Sequence, residues 1–311
     1  MGLTPDLSVQ IGSLRLANPL IAASGCFGYG LEYAGAIDLT TLGGFVTKGL
    51  FLTAREGHPP ERIVETPSGM LNAIGLQGIG VHRFISERMP DLRKTGATTI
   101  VNICGTSIDE YAEVARALSQ VDGVAAIEIN ISCPNIKEGG IQFGCSLDGT
   151  FDVVSAVRKA THLPIIPKLT PNVTNPASFA KASEEAGADA VSLVNTFLAM
   201  VLDVETRRPA ISNGMGGLSG PAIRPIAVRM VYECAQAVKI PVIGMGGIAS
   251  ARDVIEFLIA GATAVQIGTA NFVDPFIWAT LTAGLTDYLT RHNIARVADL
   301  VGTVDFSTGG H

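Results

Sequence analysis

Short and nearly continuous runs of apolar residues recur along the chain, with amphipathic segments between them. The runs are rich in Val, Ile and Ala and do not alternate with polar residues, which is the pattern of strands buried on both faces. The pattern predicts eight strands, at residues 19–24, 44–48, 99–104, 125–132, 164–169, 190–196, 241–245 and 264–268.

The segments between these runs have helical periodicity. In residues 108–121 one face carries Tyr111, Val114, Ala115 and Leu118. Ser107 precedes this segment and Glu110 follows three residues later, which is a capping-box arrangement at a helix start. Ser250 is in the same way predicted to open a helix over residues 251–260.

Eight strands that alternate with helices, without a second block of composition, predict a (β/α)8 TIM barrel. We expect residues 1–311 to form a single domain. Residues 7–19 predict a small N-terminal β-hairpin that closes the barrel floor. A doubly wound open sheet is the alternative, but it expects a G-x-G-x-x-G turn, and the glycine spacing in residues 24–30 differs.

Composition narrows the class of protein. Of 311 residues 47% are hydrophobic, and the net charge is −6 without any basic run, which argues against a nucleic-acid partner. The apolar runs are shorter than the roughly 20 residues of a bilayer helix, and no secretory signal pattern opens the chain. We therefore expect a cytoplasmic protein. Its five cysteines are scattered without a C-x-x-C pair, so no metal or iron–sulfur site is expected in this chain.

Glycines end two neighbouring predicted strands. Gly246 and Gly247 end the seventh strand, and Gly268 and Thr269 end the eighth. TIM barrels often bind phosphate after these two strands, where backbone N–H groups and a helix N-terminus face the anion. Such glycines can also merely permit tight turns, but two adjacent pairs favour a phosphate site.

Polar residues lie at or near the ends of the other strands, namely Lys48, Gly49, Asn102, Asn130, Lys168, Asn195 and Thr196. A ring of amides and cations suits a flat heterocycle with several carbonyl and imide groups. Lys168 could stabilise negative charge at the N1/O2 side of a reduced flavin. A Schiff-base lysine, as in barrel aldolases, is the other interpretation.

The fourth predicted strand runs into a cysteine followed by proline. Pro134 ends the strand because it cannot donate to the ladder, so Cys133 is expected at the catalytic rim. Most lone cysteines are buried structural thiols, and this interpretation suits Cys26, Cys104 and Cys234. It suits Cys133 poorly.

Six ordered motifs resemble the class 1 dihydroorotate dehydrogenases over essentially the whole chain. They are NISCPN at 130–135, TKG at 47–49, GMLNAIGLQ at 69–77, NT at 195–196, GG at 246–247 and GT at 268–269. The continuation of NISCPN and the stretch at 59–77 are most similar to the NAD-linked class 1B and less so to the fumarate-using class 1A. The membrane-bound class 2 uses Ser as its base and differs here.

The resemblance implies oxidation of (S)-dihydroorotate to orotate in pyrimidine biosynthesis, with Cys133 as the base. FMN would be held by Ser24, Lys48, Gly49, Asn102, Asn130, Lys168, Val194, Gly220, Gly246, Gly247, Gly268 and Thr269. Dihydroorotate would be held by Lys48, Asn72, Ala73, Ile74, Gly75, Leu76, Asn130, Asn135, Asn195 and Thr196. Likeness to class 1B also implies a partner subunit that carries FAD and a [2Fe–2S] cluster and reduces NAD+. Two barrels would form a homodimer at the core of a heterotetramer.

The mechanism that follows is a hypothesis. The Cys133 thiolate removes the C5 proton while the C6 hydride passes to flavin N5 on the opposite face. Residues 137–149 make a long loop that could close over the base.

Three other functions remain possible at this stage. An FMN-dependent 2-hydroxy-acid oxidoreductase would need a catalytic His at the rim, whereas helices, loops or the tail are expected to hold His58, His82, His162, His292 and His311. A phosphosugar aldolase would use Lys168, and an inert scaffold would have no reason to place so many polar groups at strand ends.

Overall fold

A computed structural model of the chain describes residues 4–131 and 143–307. Eight parallel strands form a closed barrel in sequence order, which confirms the predicted (β/α)8 fold. They are β1 Leu20–Ala22, β2 Gly44–Val46, β3 Thr99–Ile103, β4 Val124–Asn130, β5 Ile165–Lys168, β6 Val191–Leu193, β7 Val242–Met245 and β8 Ala264–Ile267. Each overlaps one predicted run. Val265 of β8 pairs with Leu20 of β1 and closes the ring.

Helices surround the barrel within the described ranges. They are α1 Val81–Arg83, continued by a π turn at Phe84–Arg88, then α2 Met89–Thr95, α3 Ile108–Ser119, α4 Leu147–Ala160, α5 Pro176–Glu185, α6 Arg224–Ala235, α7 Ala251–Ala260, α8 Ala270–Val273 and α9 Ile277–Arg291. Only a 3-10 turn at Leu39–Thr41 separates β1 from β2, so the strict alternation of strand and helix fails there. No helix in the described part of the chain is long and apolar enough to cross a bilayer.

The capping predicted for α3 is half confirmed. Ser107 Oγ accepts a hydrogen bond from the Glu110 N–H at 3.2 Å, as an N-cap residue does. The Glu110 carboxylate, however, accepts from the Thr106 N–H at 2.7 Å and the Leu52 N–H at 3.3 Å. Glu110 thus ties the start of α3 to the segment after β2 instead of completing a capping box.

The predicted N-terminal hairpin is present as antiparallel strands Val9–Ile11 and Leu14–Leu16. Its turn residue Gly12 has φ +56°, and a Cβ there would lie 2.9 Å from Cβ of Asp189. Because Asp189 lies two residues before β6, the hairpin lies against the N-terminal end of the barrel. The expectation that these residues cover the barrel floor agrees with this contact. That the chain is one domain stays a prediction.

A second sheet lies over the C-terminal ends of the strands and was not predicted. Its four antiparallel strands, called here the rim sheet, are Phe197–Ala199, Gly216–Ser219, Gly69–Asn72 and Ile63–Thr66, in that spatial order. Two of them follow β2 and two follow β6. A two-stranded hairpin, Leu202–Asp203 with Arg208–Pro209, extends from the same excursion. The rim sheet places residues from distant parts of the sequence above the barrel mouth.

Candidate active site at the C-terminal face

The segments that follow β6, β7 and the rim strand Gly216–Ser219 meet at one place, and two of them carry glycines. Gly220, Gly246 and Gly247 have φ values of 99°, 129° and 73°, a region that L side chains rarely adopt. A Cβ on Gly247 would lie 2.7 Å from the Gly220 carbonyl oxygen, and one on Gly246 would lie 3.2 Å from Cγ2 of Val194. The structure therefore brings these four predicted residues together and leaves no room for side chains on the glycines.

The end of β8 joins the same group. Thr269 Oγ1 donates to Ser219 Oγ at 2.8 Å, and Ser219 directly precedes Gly220. Gly268 lies next to Cys26, where a Cβ on the glycine would be 3.6 Å from Cys26 Sγ. Close backbone approach, free N–H groups of turns and two hydroxyls are the usual components of a phosphate site. Ser219 was missed because only the rim sheet brings it here.

A buried polar cluster fills the barrel interior next to these ends. Lys168 is 6% exposed, and its Nζ lies 3.4 Å from Ser24 Oγ. Asn102 is buried, and its Oδ1 would be 2.9 Å from a Cβ on Gly49. Asn130 stands beside Lys168 in the β4–β5 register, and its carbonyl accepts from Tyr111 Oη at 2.7 Å. Five predicted cofactor residues are thus neighbours.

Glu128 is the centre of this cluster and was missed. It is fully buried on β4. Its Oε2 accepts from Asn102 Nδ2 at 2.7 Å and stands 3.8 Å from Lys168 Nζ. Its Oε1 accepts from Gln266 Nε2 at 2.6 Å and from Ser192 Oγ at 3.0 Å. Glu128 is the one charged residue of β4, and this was the available signal, because a buried carboxylate must be paired.

The predicted substrate segment begins in the rim sheet. Asn72 Nδ2 donates to the Gly217 carbonyl at 3.2 Å. The Ala73 N–H donates to the Arg62 carbonyl at 2.8 Å, and the Ile74 carbonyl accepts from the His58 N–H at 3.0 Å. Gly75 and Leu76 follow with φ values of 77° and 54°. Left-handed backbone at a leucine is uncommon and is often found at ligand-binding loops.

Asn195 and Thr196 reach the same region from β6. The side chain of Thr196 lies so close to Gly217 that a Cβ on the glycine would overlap Oγ1. Asn195 Oδ1 accepts from the Thr196 N–H at 2.8 Å. Asn172, which was not predicted, donates to the Thr196 carbonyl at 3.3 Å and accepts from the Leu198 N–H at 3.0 Å. Gly217 is therefore the shared neighbour of Asn72 and Thr196.

Lys48 supplies a cation between the two groups of residues. Burial lowers the pKa of its ammonium, the positive charge of Arg62 lowers it further, and Glu32 opposes both effects. Arg62 was also missed, and its guanidinium donates to Gln77 Oε1 at 2.9 Å. Two cations whose charges repel each other favour a bound carboxylate.

The proposed base lies outside the described residues. Cys133 and Asn135 both fall in the stretch 132–142, which the structure does not describe. The prediction of a loop over residues 137–149 is wrong at its C-terminal end, because Phe143–Cys145 forms a 3-10 turn and α4 starts at Leu147. Ser146 Oγ caps α4 by accepting from the Gly149 N–H at 2.9 Å.

The described cysteines have the character of unreactive thiols. Burial raises the pKa of the Cys26 thiol to about 12 despite the opposing charge of Lys168, and it raises that of Cys234 to about 12. Cys104 is buried and Cys26 is only partly so. Cys145 is exposed, and partial burial still raises its pKa. High thiol pKa values disfavour the thiolate, which is the form that accepts a proton.

One histidine, His58, lies next to the candidate substrate segment. His58 Nδ1 is 3.1 Å from the Ala73 carbonyl oxygen, and its ring lies beside Gly75. His58 lies in a loop, as expected, and that loop contacts the candidate substrate segment. Its contacts are those of a residue that holds the backbone of a loop.

Comparison with known proteins gives a consistent result. The family model described as dihydroorotate dehydrogenase matches residues 6–289. A relative from Geotalea uraniireducens is 52% identical over 96% of this chain and 98% of its own length. One from Trichlorobacter lovleyi is 52% identical (97% and 99%), and one from Phocaeicola vulgatus is 50% identical (96% and 99%). All three are named dihydroorotate dehydrogenase B (NAD(+)), catalytic subunit.

Proposed function

The chain belongs to the dihydroorotate dehydrogenase family, and we propose that it oxidises (S)-dihydroorotate to orotate in the synthesis of pyrimidine nucleotides. The observation that carries the proposal is the meeting, on one face of the barrel, of a glycine-lined phosphate cradle, a buried lysine and amide cluster, and the rim segment at Asn72. Relatives at about half identity over nearly the full chain carry this activity in their names.

FMN fits the residues at this face. The cradle around Gly220 and Gly247 suits its phosphate because a Cβ would fill it, and Lys168 with Asn102 offers the charge and acceptor that a flavin ring can use. The residues that would hold it are Ser24, Lys48, Gly49, Asn102, Asn130, Lys168, Val194, Gly220, Gly246, Gly247, Gly268 and Thr269. When bound, FMN supplies the hydride acceptor.

Dihydroorotate is proposed to bind between the rim sheet and the barrel mouth. Lys48, with its pKa lowered by burial, is suited to the substrate carboxylate, and amide side chains can both donate to and accept from the pyrimidine edge. The residues assigned to the substrate are Lys48, Asn72, Ala73, Ile74, Gly75, Leu76, Asn130, Asn135, Asn195 and Thr196. The contacts of Asn72 and Thr196 with Gly217 support their grouping.

Cys133 is proposed to remove the C5 proton. It follows the C-terminal end of β4 in sequence. The described cysteines either have a raised thiol pKa or are buried, and neither property suits a base. Positioned acid–base groups contribute about 10² to 10⁴-fold to rate. A thiol is the better base near neutral pH, so an alcohol at this position would be much slower.

Electrons are proposed to leave through a second subunit. The relatives are named as catalytic subunits of an NAD(+) enzyme, which supports a partner carrying FAD and a [2Fe–2S] cluster, with the barrels as the homodimer core of a heterotetramer. Fumarate is the alternative acceptor. If the isolated chain turned over rapidly with dihydroorotate and fumarate, the NAD-linked assignment would be wrong.

The test of the base is C133A. C145A is the matched control, because Cys145 is an exposed thiol in the 3-10 turn Phe143–Cys145. Both variants should purify yellow with FMN. Anaerobic mixing with dihydroorotate should reduce the flavin at least about 100-fold more slowly in C133A and at the normal rate in C145A. C133S should keep a little activity that rises with pH. Normal flavin reduction in C133A would remove Cys133 from the mechanism.

A further inference from the structure

Glu128 constrains the buried polar cluster in a way that its neighbours do not. An ionised carboxylate only accepts hydrogen bonds, so Asn102 and Gln266 must both point their NH₂ groups at it. Asn102 Oδ1 is thereby turned toward Gly49 and the open end of the barrel. The amide therefore offers an acceptor to whatever binds there, beside a weak bond from Cys104 Sγ at 3.8 Å, and one of its two N–H donors is already used by Glu128.

Glu128 is also the anion closest to Lys168 among the described residues. The two side chains are 1% and 7% exposed, with Oε2 and Nζ 3.8 Å apart. The Cys26 thiol also senses the Lys168 charge, but burial holds its pKa near 12, so it stays neutral. A buried ammonium and a buried carboxylate each need a partner, and here each has the other.

The distance between the pair leaves Lys168 able to bind a ligand as well. At 3.8 Å the ion pair is longer than a direct charged hydrogen bond, and the Lys168 ammonium also lies 3.4 Å from Ser24 Oγ. Glu128 is meanwhile fixed by three closer neutral donors on β3, β6 and β8. The carboxylate therefore stays in place whether or not Lys168 turns toward a bound group.

We propose that Glu128 is a positioning residue of the flavin site, which fixes the Asn102 amide and offsets part of the Lys168 charge. The inference rests on the proposed function only in that FMN is the ligand. The offset reduces the positive potential near the ring. An anionic flavin is therefore less stable than it would be beside a lysine without an anionic partner. Glu128 thus sets how strongly the site favours the reduced cofactor.

The test uses sulfite, which forms an anionic adduct with oxidised FMN and reports the positive potential at the ring. E128Q keeps the size of the side chain and removes its charge. We expect sulfite to bind E128Q about tenfold tighter, the effect of one neighbouring charge on one ionisation, and the flavin potential to rise. S192A removes one donor to Glu128 without touching the ion pair and should stay within about twofold of wild type.

A double-mutant cycle separates an effect of charge from general disturbance. K168Q removes the cation and should weaken sulfite binding, the direction opposite to E128Q, and the double variant should lie between the two single variants. Weaker sulfite binding in both single variants would mark general disturbance and refute the proposal, as would unchanged sulfite affinity in a folded, FMN-loaded E128Q protein. If E128Q does not fold, E128D should shift sulfite affinity in the same direction by a smaller factor, and an unchanged affinity there would refute the proposal too.

The result is separable from the proposed function. Wild-type protein that binds FMN but is not reduced by dihydroorotate would contradict the proposed activity, while sulfite titration would still decide the role of Glu128. Wild-type protein that takes up no FMN would contradict both.

Discussion

At the phosphate end, Gly246 and Gly247 directly follow β7, and Gly268 and Thr269 directly follow β8. At the rim, Asn72 bonds to Gly217, which is 145 residues away in sequence. The first group is built from turns between neighbouring strands of the barrel. The second depends on pairing between two excursions that leave the barrel separately and meet above it.

This difference has a functional consequence. The glycine turns after β7 and β8 are fixed by the barrel, and a rim strand adds Ser219 and Gly220 to them. The substrate segment is instead fixed by the rim sheet itself, which has its own small apolar cluster of Leu71, Ala73 and Ile211. We therefore expect changes in the two regions to affect different ligands. Substitutions in the cradle should weaken FMN binding, and those in the rim sheet should weaken dihydroorotate binding while FMN stays bound.

The largest effect is expected for G247A. Its Cβ would lie 2.7 Å from the Gly220 carbonyl, and its φ of 73° is unfavourable for alanine. Strain and overpacking of about 1–3 kcal/mol each should weaken FMN binding about 100-fold or more. Fluorescence titration of apoprotein with FMN measures this. G35A is the control, since no atom lies within 4 Å of its Cβ position. Equal FMN affinity in both variants would show that the cradle does not hold the phosphate.

The rim counterpart is G217A. A Cβ there would overlap Thr196 Oγ1 and push Thr196 away from the strand that carries Asn72. An overpacking cost of about 1–3 kcal/mol predicts a KM for dihydroorotate raised about 10-fold to 100-fold, with FMN affinity near that of G35A. Steady-state kinetics and FMN titration together test the comparison. Parallel loss of both ligands would show that the two regions are one mechanical unit.

The same contrast explains what the sequence could predict. The eight strands were identified because strands such as β7 are buried on both faces and read as unbroken apolar runs. The rim sheet escaped because its strands are short and rich in glycine, as in Gly216–Ser219, and their partners are distant. Glu128 was visible as a charge in an apolar strand, but its partners Ser192 and Gln266 follow only from the closed barrel. The role of Cys133 stays a prediction.

The pH dependence of orotate binding sharpens the comparison with a smaller effect. Burial lowers the pKa of Lys48 in the free protein, and a bound carboxylate should raise it again because the charged form gains a partner. Binding therefore takes up a proton once Lys48 is neutral. Orotate affinity should fall as the pH rises through the lowered pKa of Lys48, by about tenfold per pH unit at most.

Flavin absorbance titrations with orotate between neutral and alkaline pH measure this dependence. K48Q is the control, because it should bind orotate weakly and lose the part of the pH dependence that belongs to the lysine. An identical profile in wild type and K48Q would place the carboxylate elsewhere, and Arg62 would then be the cation to test.

The smallest effect is expected where the barrel wall meets the cradle. Ser250 Oγ accepts from the Asp253 N–H at the start of α7, three residues after Gly247, and Ser107 caps α3 in the same way on the opposite side of the barrel. Loss of either N-cap should lower the free energy of unfolding by about 1 kcal/mol, measured by urea unfolding of the apoprotein. Only S250A should also weaken FMN binding, because only that helix start adjoins the cradle. If S107A weakened FMN binding equally, the effect would come from global stability, and the start of α7 would make no local contribution to FMN binding.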